Sequence, residues 1–76
     1  MISADVDREL SHLIRMANQI TSNIGVAGSE DERAVKVADH LLKFWAKPMR
    51  EKIIKYASEG GAELDPVAYK AICSLA

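Results

Sequence analysis

Apolar residues recur every three or four positions along almost the whole chain, and glycine or proline interrupts this pattern at three places. Such spacing puts the apolar side chains on one face of a helix. The interruptions fall at Gly25 to Gly28, at Pro48, and between Gly60 and Pro66. No segment shows a competing strand pattern. The sequence therefore predicts an all-α fold, a small helical bundle of three to four short helices. A length of 76 residues predicts a single helical domain, 1–76.

The first predicted helix runs from about Asp5 to Asn23, with Ser3 or Asp5 as its cap. The second begins at Ser29, because Glu32 three residues later gives the spacing of a capping box. The apolar face of the first helix consists of Val6, Leu10, Leu13, Ala17, Ile20 and Ile24.

The apolar residues of the second helix form an unusually wide arc. At ~100° per residue they cover about half of the helix circumference. They are Ala34, Val35, Val37, Ala38, Leu41, Leu42, Phe44 and Trp45. A helix on the outside of a small bundle needs a narrower stripe. Either this helix is central, or part of its apolar arc contacts another chain.

Pro48 predicts a break near Ala46–Lys47 and a third helix whose first residue is the proline. A kinked continuous helix is the alternative. The third helix is predicted to end at Gly60–Gly61, and Asp65 to cap a short last helix. Their apolar residues are Met49, Ile53, Tyr56 and Ala57, then Val67, Ala68, Ala71, Ile72 and Leu75.

Composition excludes several classes of function. Ten basic residues stand against eleven acidic ones, for a net charge of −1. A dedicated nucleic-acid binder normally carries a basic excess, so we expect no nucleic-acid partner. A single cysteine allows no intramolecular disulfide and fits a reducing compartment. The N-terminus lacks the order of a signal peptide, and no apolar run is long enough for a membrane span. We expect a cytoplasmic protein.

The sequence offers no constellation that supports catalysis. His12 and His40 each lack a second ligand at metal-binding spacing. Cys73 has no histidine close in sequence and is expected to be a buried or inert thiol. The glycines at 25 and 28 lack the lysine and the strand of a phosphate-binding loop. We therefore predict no catalytic, cofactor or metal site on this chain.

Two surface features remain. Arg15, Asn18, Gln19 and Ser22 lie on one polar line of the first helix, where an ordinary solvated face is the simplest interpretation. The stretch from Lys43 to Lys55 mixes cations with Phe44, Trp45 and Tyr56. This mixture suits an acidic protein surface or, less well, a nucleic-acid backbone.

The same two segments carry a resemblance to a known family. Residues 13–20, LIRMANQI, resemble a characteristic box of the delta subunit of NAD-dependent formate dehydrogenase. Residues 38–45, ADHLLKFW, followed by Lys47-Pro48-Met49-Arg50, are similar to that family's second box. Members often carry an arginine between this proline and the methionine, which is missing here. Gly60-Gly61 and Leu64-Asp65-Pro66-Val67 are also similar, so the resemblance covers about residues 13–75.

The resemblance implies a non-catalytic accessory subunit of a soluble formate dehydrogenase that contains molybdenum or tungsten. In that family the large catalytic subunit holds molybdopterin and iron–sulfur clusters, and other subunits carry FMN and NAD. The delta chain is implied in assembling or stabilising the complex.

Together, the surface features and the resemblance predict a binding site for the large subunit. The amides of Asn18 and Gln19 have no evident local structural role, arginines can pair with carboxylates, and Trp45 can fill a pocket. The predicted partner-binding residues are Arg15, Asn18, Gln19, His40, Phe44, Trp45, Pro48, Met49 and Arg50. The alternatives are a self-associating helical protein, with a homodimer of the isolated chain, and a small nucleic-acid-binding module.

Overall fold

A computed structural model describes residues 4–24 and 28–76, with side chains described from residue 8 onward. It contains four helices over the described ranges: α1 (Ala4–Ile24), α2 (Glu30–Phe44), α3 (Lys47–Ser58) and α4 (Pro66–Ser74). No strand occurs in these ranges, which confirms the all-α prediction. The predicted cap at Ser3 or Asp5, the apolar side chain of Val6 and the role of Gly25 lie outside what is described.

The capping box predicted at the start of α2 is present. The backbone N–H of Glu32 donates to Ser29 Oγ at 3.2 Å, and the N–H of Ser29 donates to Glu32 Oε1 at 3.0 Å. Both backbone donors would otherwise lack partners at a helix start. The hydrogen bonds from the backbone and side chain of Ser29 lower the pKa of the Glu32 carboxyl.

The chain breaks between α2 and α3 and does not form one kinked helix. Trp45 and Ala46 have extended backbone, with ψ of 138° and 150°. The helix α3 begins at Lys47, so Pro48 is its second residue and not its first as predicted. The amide N–H groups of the first helical residues have no intrahelical acceptor, so a proline costs no hydrogen bond at either position.

The connection from α3 to α4 follows the glycine and aspartate signals of the sequence. Gly61 has φ of +56°, and a Cβ at this position would lie 2.8 Å from Cδ1 of Tyr69. Glycine therefore fits here both in backbone conformation and in space. Asp65 caps α4, since its Oδ1 accepts from the N–H of Val67 at 2.9 Å.

The helix α4 packs mainly against α2 and also contacts α3 and α1, while α1 contacts all three other helices. The buried hydrophobic residues form one cluster. They are Leu13, Ile14, Ala17, Ala34, Val37, Ala38, Leu41, Trp45, Ile53, Ala57, Leu64, Val67, Ala68, Ala71 and Ile72. This set includes the predicted faces of α2 and α4 in large part, and adds Ile14 and Leu64.

The fold does not cover the whole apolar arc of α2. Val35, Leu42 and Phe44 are 68%, 55% and 71% exposed, respectively. The helix is therefore not central, and the first of the two explanations for its wide arc is wrong. The second explanation, a contact with another chain, stays a prediction.

Candidate protein interface

Asn18 connects α1 to the loop that precedes α4. Its Nδ2 donates to the carbonyl oxygen of Glu63 at 3.0 Å, and its Oδ1 accepts from the N–H of Asp65 at 2.7 Å. The N–H of Glu63 also donates to the hydroxyl of Tyr56 at 3.3 Å. The side-chain amide thus pairs with two backbone groups more than forty residues away along the chain.

This geometry corrects the premise that placed Asn18 in the partner site. The premise was that no local structural demand explains the amide, and the loop supplies that demand. Backbone donors and acceptors in a loop need partners as much as those in helices do, and an asparagine offers both kinds of group. Sequence inspection missed the link because the two segments are brought together only by folding.

Arg15 and Gln19, the neighbours of Asn18 in the same predicted patch, are exposed. Arg15 lines a shallow groove of about 330 Å³ together with Ser11, Ile14, Asn18 and Glu63. The lining of this groove therefore includes one cation, Arg15, and one anion, Glu63. These residues are available at the surface, and their contact with a partner stays a prediction.

The second predicted patch is divided between the interior and the surface. Trp45 is only 5% exposed and belongs to the core cluster. Arg50 donates from Nη1 to the carbonyl oxygen of Trp45 and, at 3.5 Å, to that of Leu42. These carbonyls end α2 and have no helical donor after the break, so the guanidinium stabilises the end of the helix.

The structure gives both of these residues a role within the fold. The sequence predicts that Trp45 fills a pocket of another protein, and in this structure it fills the protein's own core. The sequence also predicts that Arg50 pairs with a partner's carboxylate, whereas its guanidinium binds backbone carbonyls of α2. A contact of either residue with a partner stays a prediction.

The surface part of this patch is centred on Phe44. Its ring lies 4.7 Å from the ring of His40, centroid to centroid, at an interplanar angle of 45°. Pro48 is exposed, while Met49 is half-buried against the core cluster. Of the predicted residues near the end of α2, Phe44 and Pro48 are thus exposed, and His40 is half-buried beside Phe44.

A second group of exposed apolar residues was absent from the predicted site. Val35 and Leu42 are seven residues apart, which at ~100° per residue puts them within about 20° of each other around α2. Phe44 is nine residues from Val35 and therefore lies on the opposite side. The helix has two exposed apolar flanks, one on each side of its buried stripe. In the sequence, the unusual width of the apolar arc of α2 was the feature that indicated these two flanks.

Several charges of the basic stretch are already paired. Lys43 Nζ lies 2.9 Å from a carboxylate oxygen of Asp39, and Lys47 lies 4.0 Å from Glu51. Lys52 pairs with Glu9 of α1. Exposed pairs of this kind contribute little to stability. They do lower the net positive charge that this stretch presents.

Cys73 is exposed, so of the two expectations for this thiol, buried or inert, the first is wrong and the second stays a prediction. Its hydrogen bond with Tyr69 raises the pKa of the Tyr69 hydroxyl. Among the described side chains, no three histidine, cysteine or acidic groups converge as a metal site. None of the helices in the described ranges has both the length and the hydropathy to cross a bilayer.

Comparison with known proteins gives one finding. A family model described as the NADH-dependent formate dehydrogenase delta subunit FdsD matches residues 12–72. The match includes both sequence boxes and all of α2 and α3. No curated protein and no solved structure matches the chain.

Proposed function

The chain belongs to the family of NADH-dependent formate dehydrogenase delta subunits, and from this premise we propose that it is a non-catalytic accessory subunit. In this proposal it binds the large catalytic subunit in the cytoplasm and assembles or stabilises the complex. The proposal goes beyond family membership. Membership identifies the chain as a subunit, but it does not say which subunit the chain binds or what the chain does in the complex.

Exposed apolar side chains on α2 are the observation that supports binding. Phe44, Val35 and Leu42 are large, and each exposes more than half of its surface. A monomer of this size gains stability by burying such side chains, since each contributes about 1.5–3 kcal/mol when fully removed from water. Residues that the fold leaves in water are candidates for a contact with another chain.

The cofactors of the enzyme are assigned to other subunits in this proposal. An iron–sulfur cluster is held by four cysteine thiolates in its common forms, and this sequence has one cysteine. The residues present therefore do not fit such a cluster. Molybdopterin, FMN and NAD are likewise proposed to bind the partner subunits.

Co-expression with and without this chain tests the proposal. The other subunits are expressed with the tagged chain, and the assembled species is measured by light scattering after size-exclusion chromatography. We expect the chain to co-elute with the catalytic subunit and the yield of assembled complex to fall when the chain is omitted. NAD⁺ reduction by formate, measured per assembled complex, reports whether the chain affects catalysis itself.

Two results would contradict the proposal. One is a chain that elutes alone at every concentration while the remaining subunits assemble normally. The other is a chain that elutes only as a homodimer, which would favour the self-associating alternative. A salt-sensitive shift of a labelled duplex would favour the nucleic-acid-binding alternative.

A further inference from the structure

Arg33 has an unusual position on α2. Its side chain is half-buried, and its Nε is buried without a hydrogen-bond partner among the described residues. A buried donor without an acceptor is unfavourable, and such groups are uncommon in native proteins. Since Nε itself has no accessible surface, the partly exposed remainder of the Arg33 side chain is what another molecule can reach.

Arg33 lies on the same flank of α2 as the exposed ring of Phe44 and the half-buried ring of His40. At ~100° per residue, Arg33, His40 and Phe44 fall within about 40° of one another around the helix axis. At ~1.5 Å per residue, Arg33 and Phe44 are about 16 Å apart along that axis. We name these three residues the Arg33 strip. It presents a cation at one end and a 71% exposed phenyl ring at the other.

The charges near the strip favour an acidic partner. Its aromatic end adjoins the start of α3, where the exposed Lys47 lies 4.0 Å from Glu51, so that cation is paired. A further exposed cation, Lys36, is three residues from Arg33 and about 60° from it around α2. Among the described acidic residues of α2, Glu30 is the closest to the strip, at about 60° around the helix from Arg33 and about 40° from Phe44. Asp31 and Asp39 lie farther around the helix and are paired with Lys70 and Lys43.

We propose that the Arg33 strip receives an acidic segment of the catalytic subunit. A carboxylate of that segment accepts from Arg33, and an apolar pocket about three helical turns away holds the ring of Phe44. This inference rests on the proposed function and specifies which flank of α2 makes the contact. The opposite flank, with Val35 and Leu42, is then outside the contact.

Binding of the full-length chain to the purified catalytic subunit tests the strip. Two variants lie on the strip, Arg33→Gln and Phe44→Ala. Each has a matched control away from the strip. Leu42→Ala lies on the opposite flank of α2, and Lys70→Gln lies on α4 beside Asp31, about 160° around α2 from Arg33. We expect each strip variant to raise the Kd at least tenfold and each control to leave it within threefold. Raising the salt concentration should weaken the wild type more than it weakens Arg33→Gln.

Three different results would contradict either the proposed function or the role of the Arg33 strip. If the wild-type chain does not bind, the proposed function fails. If it binds and both strip variants bind equally well, the strip is wrong while the proposed function stands. If Leu42→Ala weakens binding and Phe44→Ala does not, the contact lies on the opposite flank.

Folding of each variant is checked by its helical circular dichroism and its melting temperature. Should Arg33→Gln fail to fold, Arg33→Lys replaces it, since lysine keeps the charge and lacks the Nε donor. Phe44→Ala alone also decides the matter, because a side chain this exposed contributes little to the fold.

Discussion

The region around Asn18 and the region around Phe44 both combine helix ends with polar side chains, but they use those side chains differently. At Asn18 the polar groups close the fold, because the amide binds backbone groups of Glu63 and Asp65. At the end of α2, Arg50 binds the helix carbonyls and Trp45 fills the core. Phe44, next to Trp45 in sequence, stays at the surface.

The difference shows that neighbouring residues in one sequence box have separate tasks. In the first region the side chain with the most polar contacts is structural, and the accessible residues are Arg15 and Gln19. In the second region the structural residues support an apolar surface. A small domain has few buried positions, so a large phenyl ring left outside is expected to have another use.

The largest expected effect separates Trp45 from Phe44. Trp45→Ala removes a buried aromatic side chain and should lower the free energy of unfolding by about 3–5 kcal/mol. Phe44→Ala should change it by no more than about 0.5 kcal/mol, since most of that ring is in water. Urea denaturation followed by circular dichroism measures both. Equal losses would show that Phe44 is part of the core.

A smaller effect is expected for the asparagine that joins α1 to the loop. Asn18→Ala loses two hydrogen bonds and should cost about 1–2 kcal/mol. Gln19→Ala, at an exposed position beside it, should stay within about 0.5 kcal/mol. The same denaturation measurement compares them. A Gln19 variant as destabilised as the Asn18 variant would contradict the distinction between the two amides.

Arg50 should show a still smaller effect. Arg50→Ala removes the donor to the carbonyls of Trp45 and Leu42, and we expect a loss of about 1 kcal/mol. Lys47→Ala is the control, because its ion pair with Glu51 is long and exposed. Amide hydrogen exchange at the end of α2 should increase in the Arg50 variant alone. Unchanged exchange there would show that the guanidinium does not hold the helix end.

The smallest expected effect is the pH dependence of stability that comes from the ion pair between Asp31 of α2 and Lys70 of α4. This pair lies outside both regions. The hydrogen bond from Lys70 and its positive charge lower the pKa of Asp31 below its ordinary value of 3.8. The unfolded chain therefore binds this proton more readily than the folded one. The stabilising contribution is present above pH 3.8 and is lost as the pH falls through the folded-state pKa.

Melting temperatures of the wild type and of Asp31→Asn, measured from about pH 2 to about pH 6, test this prediction. The two curves should converge at the acidic end, because a protonated Asp31 is uncharged, as is the amide in the variant. A constant difference across the range would show that the ion pair does not contribute.

Most of the fold could be predicted because its signals are local. The Ser29 capping box, the Asp65 cap and the glycines after α3 each act within a few residues, so the sequence displays them directly. The exact first residue of α3 was missed by one, since proline is tolerated at either position of the first turn.

The candidate site was harder to predict because the role of each residue depends on contacts with residues far away in the sequence. A helical face shows which residues are polar, but not which distant backbone group they meet. Asn18 and Gln19 look alike in the sequence, and only the loop at Glu63 distinguishes them. Phe44 and Trp45 are adjacent aromatic residues that the sequence does not distinguish. Only the packing of the helices shows that Trp45 is in the core and Phe44 is not.

The sequence by itself determined the helical class, the approximate helix starts and stops, and the family to which the chain belongs. Those properties follow from spacing, capping and motif, which are short-range. The tertiary structure alone decided which apolar residues of α2 are buried and which polar side chains act within the fold. Burial of a side chain is set by its neighbours in space. Which side chains of α2 are buried therefore depends on how much of its surface the adjacent helices cover.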